Sequence, residues 1–382
     1  MLNVTTLLRS RSPAEDDLRY GRLRARVGRP VVVWTATRSC NLACRHCYAA
    51  SLPRRYPGEL STAEANDLVD DLASMPAAGL LVSGGEPLLR DDVLDVAARA
   101  SRQGLRTTLS TNGTALADPA VADDVSAAGF SYVGVSFDGL GQTHDRFRGE
   151  AGAFERSVAG VRNLVARGER VGLRLTLTAT TLPVLPDVFD FIVDEGFGRA
   201  CFYHLAPSGR GRSAPAEALT AQQTRHAVDA VFDFADRMIA SRPELEVLTV
   251  ANAADGPRLL DWLAERGRPT EQVAERLTRA GGNHSGIGLA HVSNTGEVHP
   301  DQFSWTDRLG SVRQRPFSRI WADSTGRLGA LRARSGLLGG RCGACRHLDV
   351  CGGNLRMRAH AATGDHWAED PACYLTPQET TR

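Results

Sequence analysis

The sequence contains no lysine, so all 45 of its basic residues are arginine. Because arginine stays protonated in proteins, a lysine Schiff base and a lysine general base are both excluded. The sequence also lacks any run of eighteen apolar residues, and the stretch from Met1 to Pro30 is polar and rich in arginine. A transmembrane helix and a signal peptide are therefore not expected, and we predict a cytoplasmic protein with reduced thiols.

An excess of charge of either sign is also missing, because 45 basic residues face 44 acidic ones and the formal net charge is +1. This balance gives no indication of a nucleic-acid partner or of a membrane surface as partner. With 382 residues, of which 42% are apolar and 23% charged, the chain is long enough for an α/β core and an appended module.

Cysteine is absent from long stretches of the chain, and its eight copies fall into two clusters and one outlier. Cys40, Cys44 and Cys47 form the first cluster, Cys201 stands alone, and Cys342, Cys345, Cys351 and Cys373 form the second. Thiolates are soft metal ligands, so two clusters predict two metal centres. The isolated Cys201 lies in a strand-like run and is predicted to be a small buried hydrophobic residue.

The first cysteine cluster occupies a loop that follows a short apolar run, Val31 to Trp34, which predicts a buried strand. Three thiolates separated by three and two residues suit an iron–sulfur cluster or zinc. Because no fourth cysteine is near, a cubane cluster bound here would keep one iron open to a small molecule. A zinc knuckle with His46 as its fourth ligand is the alternative.

A second loop, Ser83 to Pro87 with the letters SGGEP, also follows an apolar run and lies at the end of a predicted strand. Its two glycines let a ligand lie directly against main chain, whose carbonyls can accept hydrogen bonds from an ammonium group. One strand–helix–strand unit after a CxxxCxxC loop, this GGEP loop resembles the same region of the radical S-adenosylmethionine (SAM) superfamily. The resemblance implies that a [4Fe–4S] cluster on the first cysteines chelates SAM and that the GGEP loop holds the SAM amino group.

Alternating strands and helices predict an α/β fold with parallel strand pairing and right-handed crossovers. The predicted strands lie near 31–36, 79–83, 105–110, 132–136, 171–178 and 199–205. Six such units form a partial (β/α)6 barrel, in which reactive groups gather at the C-terminal ends of the strands. The resemblance adds predicted cofactor contacts from Tyr48, Gly84, Gly85, Glu86, Asn112, Ser136 and Arg174, while no catalytic residue is predicted.

The rest of the chain predicts helices near 219–241 and 256–279, a β-hairpin turning at Asn294-Thr295-Gly296, and a helix that begins near Pro316. The second cysteine cluster suits a closed iron–sulfur cluster, with structural zinc as the alternative. Together these features resemble the SPASM/twitch extension of radical SAM enzymes, which implies an auxiliary [4Fe–4S] cluster facing the barrel mouth. The predicted domains are an N-terminal arm (1–28) with a short helix at 16–26, the barrel core (29–207), a helical connecting region (208–280) and the auxiliary domain (281–382).

Further stretches resemble the NirJ-type radical SAM proteins of haem d1 biosynthesis. They lie at 34–40, 109–114, 137–140, 281–286, 294–301 and 351–375, although His366 departs from the proline expected there. The resemblance implies reductive cleavage of SAM to a 5′-deoxyadenosyl radical. It also implies removal of propionate side chains from didecarboxysirohaem, a sirohaem-derived tetrapyrrole, with a flavodoxin-type or ferredoxin-type electron donor.

Carboxylates on such a substrate suit arginines near the barrel mouth, and the candidates are Arg148, Arg210 and Arg212. His284 and His299 are candidates for binding those carboxylates or the sirohaem iron. Two other functions stay open, namely a SPASM-type maturase that modifies a ribosomal peptide and a non-catalytic metal scaffold. The residues before Val31 are too few for the winged-helix domain of many peptide-modifying enzymes, and a scaffold would not need the GGEP loop.

Overall fold

The structure, a computed structural model, describes residues 1–9 and 28–381. In these residues one eleven-stranded sheet forms the centre of the molecule. Its strands are β1 (Leu2–Asn3), β2 (Val31–Thr37), β3 (Gly79–Gly84), β4 (Thr107–Thr111), β5 (Val133–Ser136), β6 (Val171–Leu177), β7 (Arg199–His204), β8 (Glu246–Val250), β9 (Leu289–Val292), β10 (Glu297–His299) and β11 (Gly310–Ser311). Their order across the sheet is β1-β8-β7-β6-β5-β4-β3-β2-β9-β10-β11.

Helices connect the strands and build the C-terminal region. They are α1 (Val4–Leu8), α2 (Thr62–Ser74), α3 (Val93–Arg102), α4 (Pro119–Ala127), α5 (Gly141–Arg148), α6 (Ala153–Ala166), α7 (Leu185–Asp194), α8 (Ala221–Ser241), α9 (Asp255–Ala264), α10 (Glu271–Ala280), α11 (Phe317–Ala322), α12 (Gly326–Arg332), α13 (Gly340–Ala344), α14 (Leu348–Cys351), α15 (Arg356–Thr363) and α16 (Pro377–Thr380). The helix predicted at 16–26 lies outside the described residues. None of the described helices has the length and apolar character needed to span a bilayer.

The strands β2 to β7 pair in parallel and in chain order, which confirms the predicted partial barrel. Side chains alternate along β2 as expected for a strand. Val32 and Trp34 join the hydrophobic core, whereas Val33 lines the barrel interior. A capping box begins α2, because Ser61 Oγ accepts the Glu64 N–H and the Glu64 carboxylate accepts the Ser61 N–H.

Strand β8 extends the barrel by one more parallel strand, because it pairs with β7. The prediction of only helices in 208–279 is therefore wrong at this point. Five residues between two long helices are too few for a clear strand pattern, although Val247 in this strand is fully buried. The single helix predicted for 256–279 is divided into α9 and α10, because Gly267 has a φ of +66° and Pro269 lacks an N–H.

Further strands extend the sheet at both edges of the barrel. The predicted hairpin is present as β9 and β10, with Gly296 in its turn at a φ of +84°, and β9 continues the sheet in parallel beside β2. At the other edge, β1 pairs with β8, and Val4 and Leu7 of α1 are fully buried. The first nine residues of the predicted arm are thus part of the fold, while the predicted domain boundaries stay a prediction.

Candidate functional site

The first cysteine cluster lies on a loop after the C-terminal end of β2, where Cys40 and Cys44 are buried. Each sulfur has a hydrogen-bond donor nearby. Leu42 N lies 3.4 Å from Cys40 Sγ, Ser51 N lies 3.3 Å from Cys47 Sγ, and Arg148 Nη1 lies 3.6 Å from Cys44 Sγ. Such donors stabilise sulfur that carries negative charge, so the loop suits metal-bound thiolates.

Burial raises the pKa of the Cys40 thiol to about 12, and the charges of Cys44 and Cys47 add to this rise. Burial also raises the pKa of Cys44, although Arg148 opposes the change. Thiols that resist ionisation alone become stable thiolates when they bind metal. All three thiols line one cavity, and three soft donors without a fourth fit a [4Fe–4S] cluster with one open iron.

His46 has a carboxylate beside it, because its Nε2 lies 3.3 Å from Asp138 Oδ2. In the described part of the chain, no group of three His, Cys, Asp or Glu side chains is placed to hold a single metal ion. This geometry gives no support to the zinc knuckle in which His46 completes the ligand set.

Asp138 has two further contacts, because its Oδ2 lies 2.7 Å from Arg148 Nη2 and its Oδ1 accepts the Thr176 N–H at 3.2 Å. Burial opposes ionisation of Asp138, but Arg148 and His46 outweigh it and lower the pKa of the carboxyl. Arg148 therefore links an ionised carboxylate to the Cys44 thiol. These partners within the chain give no support to its predicted role as a substrate anchor.

The two glycines of the GGEP loop allow β3 to end directly against the cysteine loop. Gly85 N–H donates to Thr37 O at 2.8 Å. A Cβ on Gly84 would lie 2.5 Å from Thr37 O, and a Cβ on Gly85 would lie 2.2 Å from Ser39 O. Because main chain cannot move aside easily, only glycine fits at these two positions.

Glu86 lies behind the cavity that the other predicted contacts line. Its buried carboxylate accepts hydrogen bonds from Thr111 Oγ1 at 2.8 Å, Asn112 N–H at 2.7 Å and Leu88 N–H at 3.2 Å. Burial outweighs these three donors and raises the pKa of Glu86 to about 7. Glu86 thus holds the ends of β3 and β4 together, while its contact with the cofactor stays a prediction.

A cavity of about 180 Å³ lies at the C-terminal ends of the barrel strands. Of the predicted cofactor contacts, those that line it are Tyr48, Gly84, Gly85, Asn112, Ser136 and Arg174. The Asn112 side chain is oriented from both sides, because its Nδ2 donates to Asn41 Oδ1 at 2.8 Å and its Oδ1 accepts the Thr114 N–H at 2.9 Å. The Tyr48 hydroxyl lies 3.2 Å from Ser83 Oγ.

Several lining residues were missed by the sequence reasoning. They include Ser83, Ser110, Thr176, Tyr203, His204, Gln302 and Phe303. The two-residue period of strands could have found some of them, because Thr176 follows Arg174 on the same face of β6. Phe303 gave no local signal, since it comes from the C-terminal region and packs edge-on against the Tyr48 ring at 5.5 Å.

Arg210 stabilises the cysteine loop through hydrogen bonds to its main-chain carbonyls. The side-chain Nε donates to Cys44 O at 2.7 Å, and Nη1 donates to Ser51 O at 2.6 Å. The main-chain N–H of Arg210 donates to Cys47 O at 2.9 Å. The predicted role in binding substrate carboxylates is therefore not supported for Arg210. Arg212 is exposed and lines neither this cavity nor the next.

A second cavity, of about 260 Å³, is lined by residues of β2, β3, β6, β7 and β8 and by the loop before β9. His284 lines it, as do Asn283 and Ser285 of the same loop. His299 lines neither cavity, because it is buried and its Nδ1 lies 3.0 Å from Asp307 O. The prediction that His299 reaches a substrate is therefore not supported by its position.

The second cysteine cluster surrounds a small cavity of about 20 Å³. All four thiols line it, namely Cys342, Cys345, Cys351 and Cys373. Burial raises the pKa of Cys351, and the other three thiols add to the rise, so the four sulfurs lie within reach of one another's charge. Four soft donors around one cavity fit a closed iron–sulfur cluster.

Hydrogen bonds to main-chain carbonyls connect the second cysteine cluster with the loop of Gly282 and Asn283, which lines the second cavity. Arg334 Nε donates to Gly352 O at 2.6 Å, and Asn283 N–H donates to Cys351 O at 3.3 Å. A Cβ on Gly282 would overlap Cys351 O, at 1.9 Å. The auxiliary site is therefore packed directly against one wall of the second cavity.

Comparison with known proteins assigns this arrangement to a family. The sequence model of the radical SAM superfamily matches residues 34–191. Pre-heme d1 synthase of Dinoroseobacter shibae is 45% identical, covering 92% of this chain and 88% of that protein. Fe-coproporphyrin III synthase of Methanosarcina barkeri is 42% identical, covering 99% of this chain and 98% of that protein. The chain belongs to the radical SAM superfamily.

Membership of the radical SAM superfamily implies SAM and a [4Fe–4S] cluster as cofactors, in agreement with the three-thiol site. The fold agrees as well. SuiB of Streptococcus suis bound to S-adenosylmethionine superposes with a TM-score of 0.70 at 14% identity, covering 91% of this chain and 78% of that chain. This radical SAM enzyme thus has the predicted partial barrel, extended at both edges.

Proposed function

We propose that this radical SAM enzyme removes propionate side chains from a sirohaem-derived tetrapyrrole, with didecarboxysirohaem as substrate. The observation that carries the proposal is the 45% and 42% identity, over nearly the whole chain, to two enzymes named for tetrapyrrole products. The identity extends beyond the cysteine loop into the C-terminal region. The second cavity is built partly from that region.

Cys40, Cys44 and Cys47 are the proposed ligands of the SAM-binding cluster. When bound, that cluster supplies the electron that cleaves SAM to a 5′-deoxyadenosyl radical. The chain positions the reactants: the main chain at Gly84 and Gly85 offers acceptors to the SAM amino group. The proposed SAM site is completed by four side chains that line the same cavity, Tyr48, Asn112, Ser136 and Arg174.

The second cysteine cluster is the proposed site of an auxiliary [4Fe–4S] cluster. Its ligands would be Cys342, Cys345, Cys351 and Cys373, which leaves no sulfur donor of this group for direct binding of substrate. A role in passing an electron to or from the substrate fits a closed ligand set. A flavodoxin-type or ferredoxin-type protein is the proposed external donor.

Orientation of the substrate is the main requirement of such a reaction. The hydrogen to be abstracted must lie on a carbon roughly 3–3.5 Å from the deoxyadenosyl carbon. The two cavities adjoin each other, because the same six residues line both, namely Val33, Leu81, Arg174, Tyr203, Gln302 and Phe303. A macrocycle bound in the second cavity would therefore lie beside the SAM cavity.

The test is an anaerobic incubation of reconstituted enzyme with didecarboxysirohaem, SAM and a reductant. We expect 5′-deoxyadenosine and a tetrapyrrole whose mass has fallen by two propionate side chains. The Cys40→Ala/Cys44→Ala/Cys47→Ala variant is the control and should form neither product. A tetrapyrrole that retains both propionates contradicts the proposal. An unchanged tetrapyrrole together with a modified co-encoded peptide would favour a peptide maturase.

A further inference from the structure

A basic surface lies beside the first cysteine cluster. Residues 38–58 contain four arginines and no aspartate or glutamate, although the whole chain has 45 basic and 44 acidic residues. Of these four arginines, Arg45, Arg54 and Arg55 are exposed. Arg212 is exposed as well, on a segment that packs against the same loop. Positive charge is therefore concentrated at the surface next to the three thiols.

The segment that carries Arg54 and Arg55 is in main-chain contact with the first cysteine. Cys40 N–H donates to Leu52 O at 3.2 Å, and Ser39 Oγ donates to Arg54 O at 2.6 Å. Leu52 is 38% exposed, and only five large apolar side chains are exposed among the described residues. A single hydrogen bond thus connects an exposed apolar residue with a residue that carries a buried thiol.

The arginines of this surface are held in place without losing their charge. The guanidinium carbons of Arg38 and Arg54 each lie 4.9 Å from the centre of the Tyr56 ring, a contact that orders a cation but does not neutralise it. Within residues 1–9 and 28–381, neither Arg54 nor Arg55 forms an ion pair. Arg45 lies 3.4 Å from Glu217, but 57% of its side chain stays exposed.

The segment before Arg212 is packed closely against the cysteine loop. A Cβ on Gly209 would lie 2.3 Å from Cys47 O, and a Cβ on Gly211 would lie 3.4 Å from His46 O. Arg212 lines neither cavity, so its charge is not directed to SAM or to a substrate in the second cavity. It adds instead to the positive charge at the surface of the loop.

A cluster bound by the three thiols must receive its electron from outside the chain. Electron transfer slows steeply with distance, so a donor has to approach the surface nearest to the thiols. An exposed leucine among unpaired arginines suits an acidic protein, because opposite potentials steer the encounter and electron carriers use small interfaces. A nucleic acid or an anionic membrane is less suited, since the chain as a whole carries a formal charge of only +1.

We propose that an acidic one-electron carrier protein docks on the surface formed by Arg45, Leu52, Arg54, Arg55 and Arg212. The carrier would lose one electron and the cluster of the first cysteine loop would gain it, so the step needs no other reactant. This inference rests on the proposed function insofar as both require that cluster. It does not depend on which substrate the enzyme uses.

The test compares wild type with Arg54→Glu/Arg55→Glu, each with both clusters reconstituted. SAM cleavage is measured as 5′-deoxyadenosine, without tetrapyrrole, at concentrations of reduced flavodoxin far below saturation. Flavodoxin is the probe because it is an acidic one-electron carrier. Dithionite replaces it in a parallel assay, since a small ion needs no docking surface. Isothermal titration calorimetry measures the affinity of each enzyme for oxidised flavodoxin, independently of activity.

The matched control is Arg102→Glu/Arg346→Glu, which reverses the same number of charges at two exposed arginines. Arg102 lies in α3, and Arg346 directly follows Cys345 of the second cysteine cluster. Arg54→Lys/Arg55→Lys is the conservative variant, because it keeps both charges. Iron content and the far-ultraviolet circular dichroism spectrum verify that each variant is folded.

We expect Arg54→Glu/Arg55→Glu to lower the flavodoxin-driven rate by about 10-fold to 100-fold at low ionic strength, the range in which charge complementarity changes association. Flavodoxin binding should weaken as well, whereas the dithionite-driven rate should stay within about twofold of wild type. The lysine variant and the control should resemble wild type with both reductants. The wild-type rate with flavodoxin should fall as the ionic strength rises above about 0.1 M, where the Debye length is about 10 Å.

Unchanged flavodoxin binding and rate in Arg54→Glu/Arg55→Glu overturn the inference. Equal losses with flavodoxin and dithionite also overturn it, because they show damage to the cysteine loop. A loss in the control as large as that in the variant assigns docking to another surface or to overall charge, and wild type that accepts electrons from dithionite alone excludes the acidic carrier. The proposed function is tested separately, because an unchanged didecarboxysirohaem would contradict it without affecting these measurements.

Discussion

Tyr374 and Asp255 form a buried hydrogen bond, 2.7 Å long, that ties the second cysteine cluster to the barrel. Tyr374 directly follows Cys373, and Asp255 begins α9. The other carboxylate oxygen of Asp255 lies 2.9 Å from Nε2 of His204, which ends β7 and lines the first cavity. Burial opposes ionisation of Asp255, but His204 and the hydrogen bonds lower its pKa, so both contacts are made to a carboxylate.

Tyr374→Phe is expected to weaken the auxiliary site. The variant keeps the ring but leaves one oxygen of a fully buried carboxylate without its donor, which costs about 1–3 kcal/mol. Because the lost bond anchors the segment of Cys373, iron should be lost faster in the presence of a chelator. Iron content over time and thermal unfolding check this prediction. Tyr132→Phe is the matched control, since it also removes the hydroxyl of a buried tyrosine but leaves the bond from Tyr374 to Asp255 intact. Equal iron loss in the two variants would refute the prediction.

The two cysteine clusters are expected to act independently. Alanine at Cys40, Cys44 and Cys47 should abolish 5′-deoxyadenosine formation while about half of the iron remains, because the other four thiols form a separate site. Alanine at Cys342, Cys345, Cys351 and Cys373 should leave SAM cleavage but prevent loss of propionate. Iron analysis, electron paramagnetic resonance and product mass measure these outcomes. Stoichiometric zinc without iron in the first variant would identify the second cluster as a zinc site.

Gly85→Ala is expected to damage the SAM site through a steric effect. The added Cβ would lie 2.2 Å from Ser39 O, and displacing that main chain would also move the adjacent Cys40. Overpacking of this kind costs about 1–3 kcal/mol in stability. SAM affinity and the denaturant midpoint should both fall. Gly336→Ala is the control, because no atom lies within 4 Å of the added Cβ and its stability should stay near wild type. Wild-type SAM affinity in Gly85→Ala would contradict the expected close contact.

Most strands of the barrel could be predicted, because the sequence pattern that identifies each strand lies within the strand and the residues directly after it. Short apolar runs followed by glycines, cysteines or asparagine predict strand ends, and strand ends of a parallel sheet meet at one edge. Strand β8 was not predicted, because it has only five residues and four of them are buried, so it shows no alternation of apolar and polar residues. Helix α5 escaped it too, since only His144, Phe147 and Arg148 of its eight residues are buried.

The roles of individual charged residues could not be predicted, because they depend on partners far away in the chain. Arg210 reaches a carbonyl of the cysteine loop across 166 positions. Glu86 belongs to a motif that suggests a ligand contact, yet burial directs its carboxylate to three donors of its own chain. His299 was a reasonable candidate by type, but its strand pairs with β9 and buries the ring against His291 at 5.3 Å.

His144 is expected to make the folded protein less stable as the pH falls. Its ring is fully buried between Phe137 and Phe154, and its Nδ1 accepts the Asp138 N–H at 3.3 Å, so the folded state holds it neutral. Burial, assisted by Arg148, lowers the pKa of His144 to about 3. The unfolded chain takes up a proton near its ordinary pKa of about 6.5. Between these values the unfolded state binds more protons, so the free energy of unfolding must decrease as the pH decreases.

The measurement compares thermal unfolding of wild type with that of His144→Phe at pH 7.5, 6.5 and 5.5 under anaerobic conditions. The variant keeps a ring against Phe137 and Phe154 but cannot titrate, and it loses the acceptor for the Asp138 N–H at every pH. It should therefore be less stable at pH 7.5, while its stability should fall less steeply below pH 6.5, by at most about 1.4 kcal/mol per pH unit. Acid lability of the clusters is common to both proteins and cancels in the comparison. Equal slopes in the two proteins would show that His144 is protonated in the folded state as readily as in the unfolded chain.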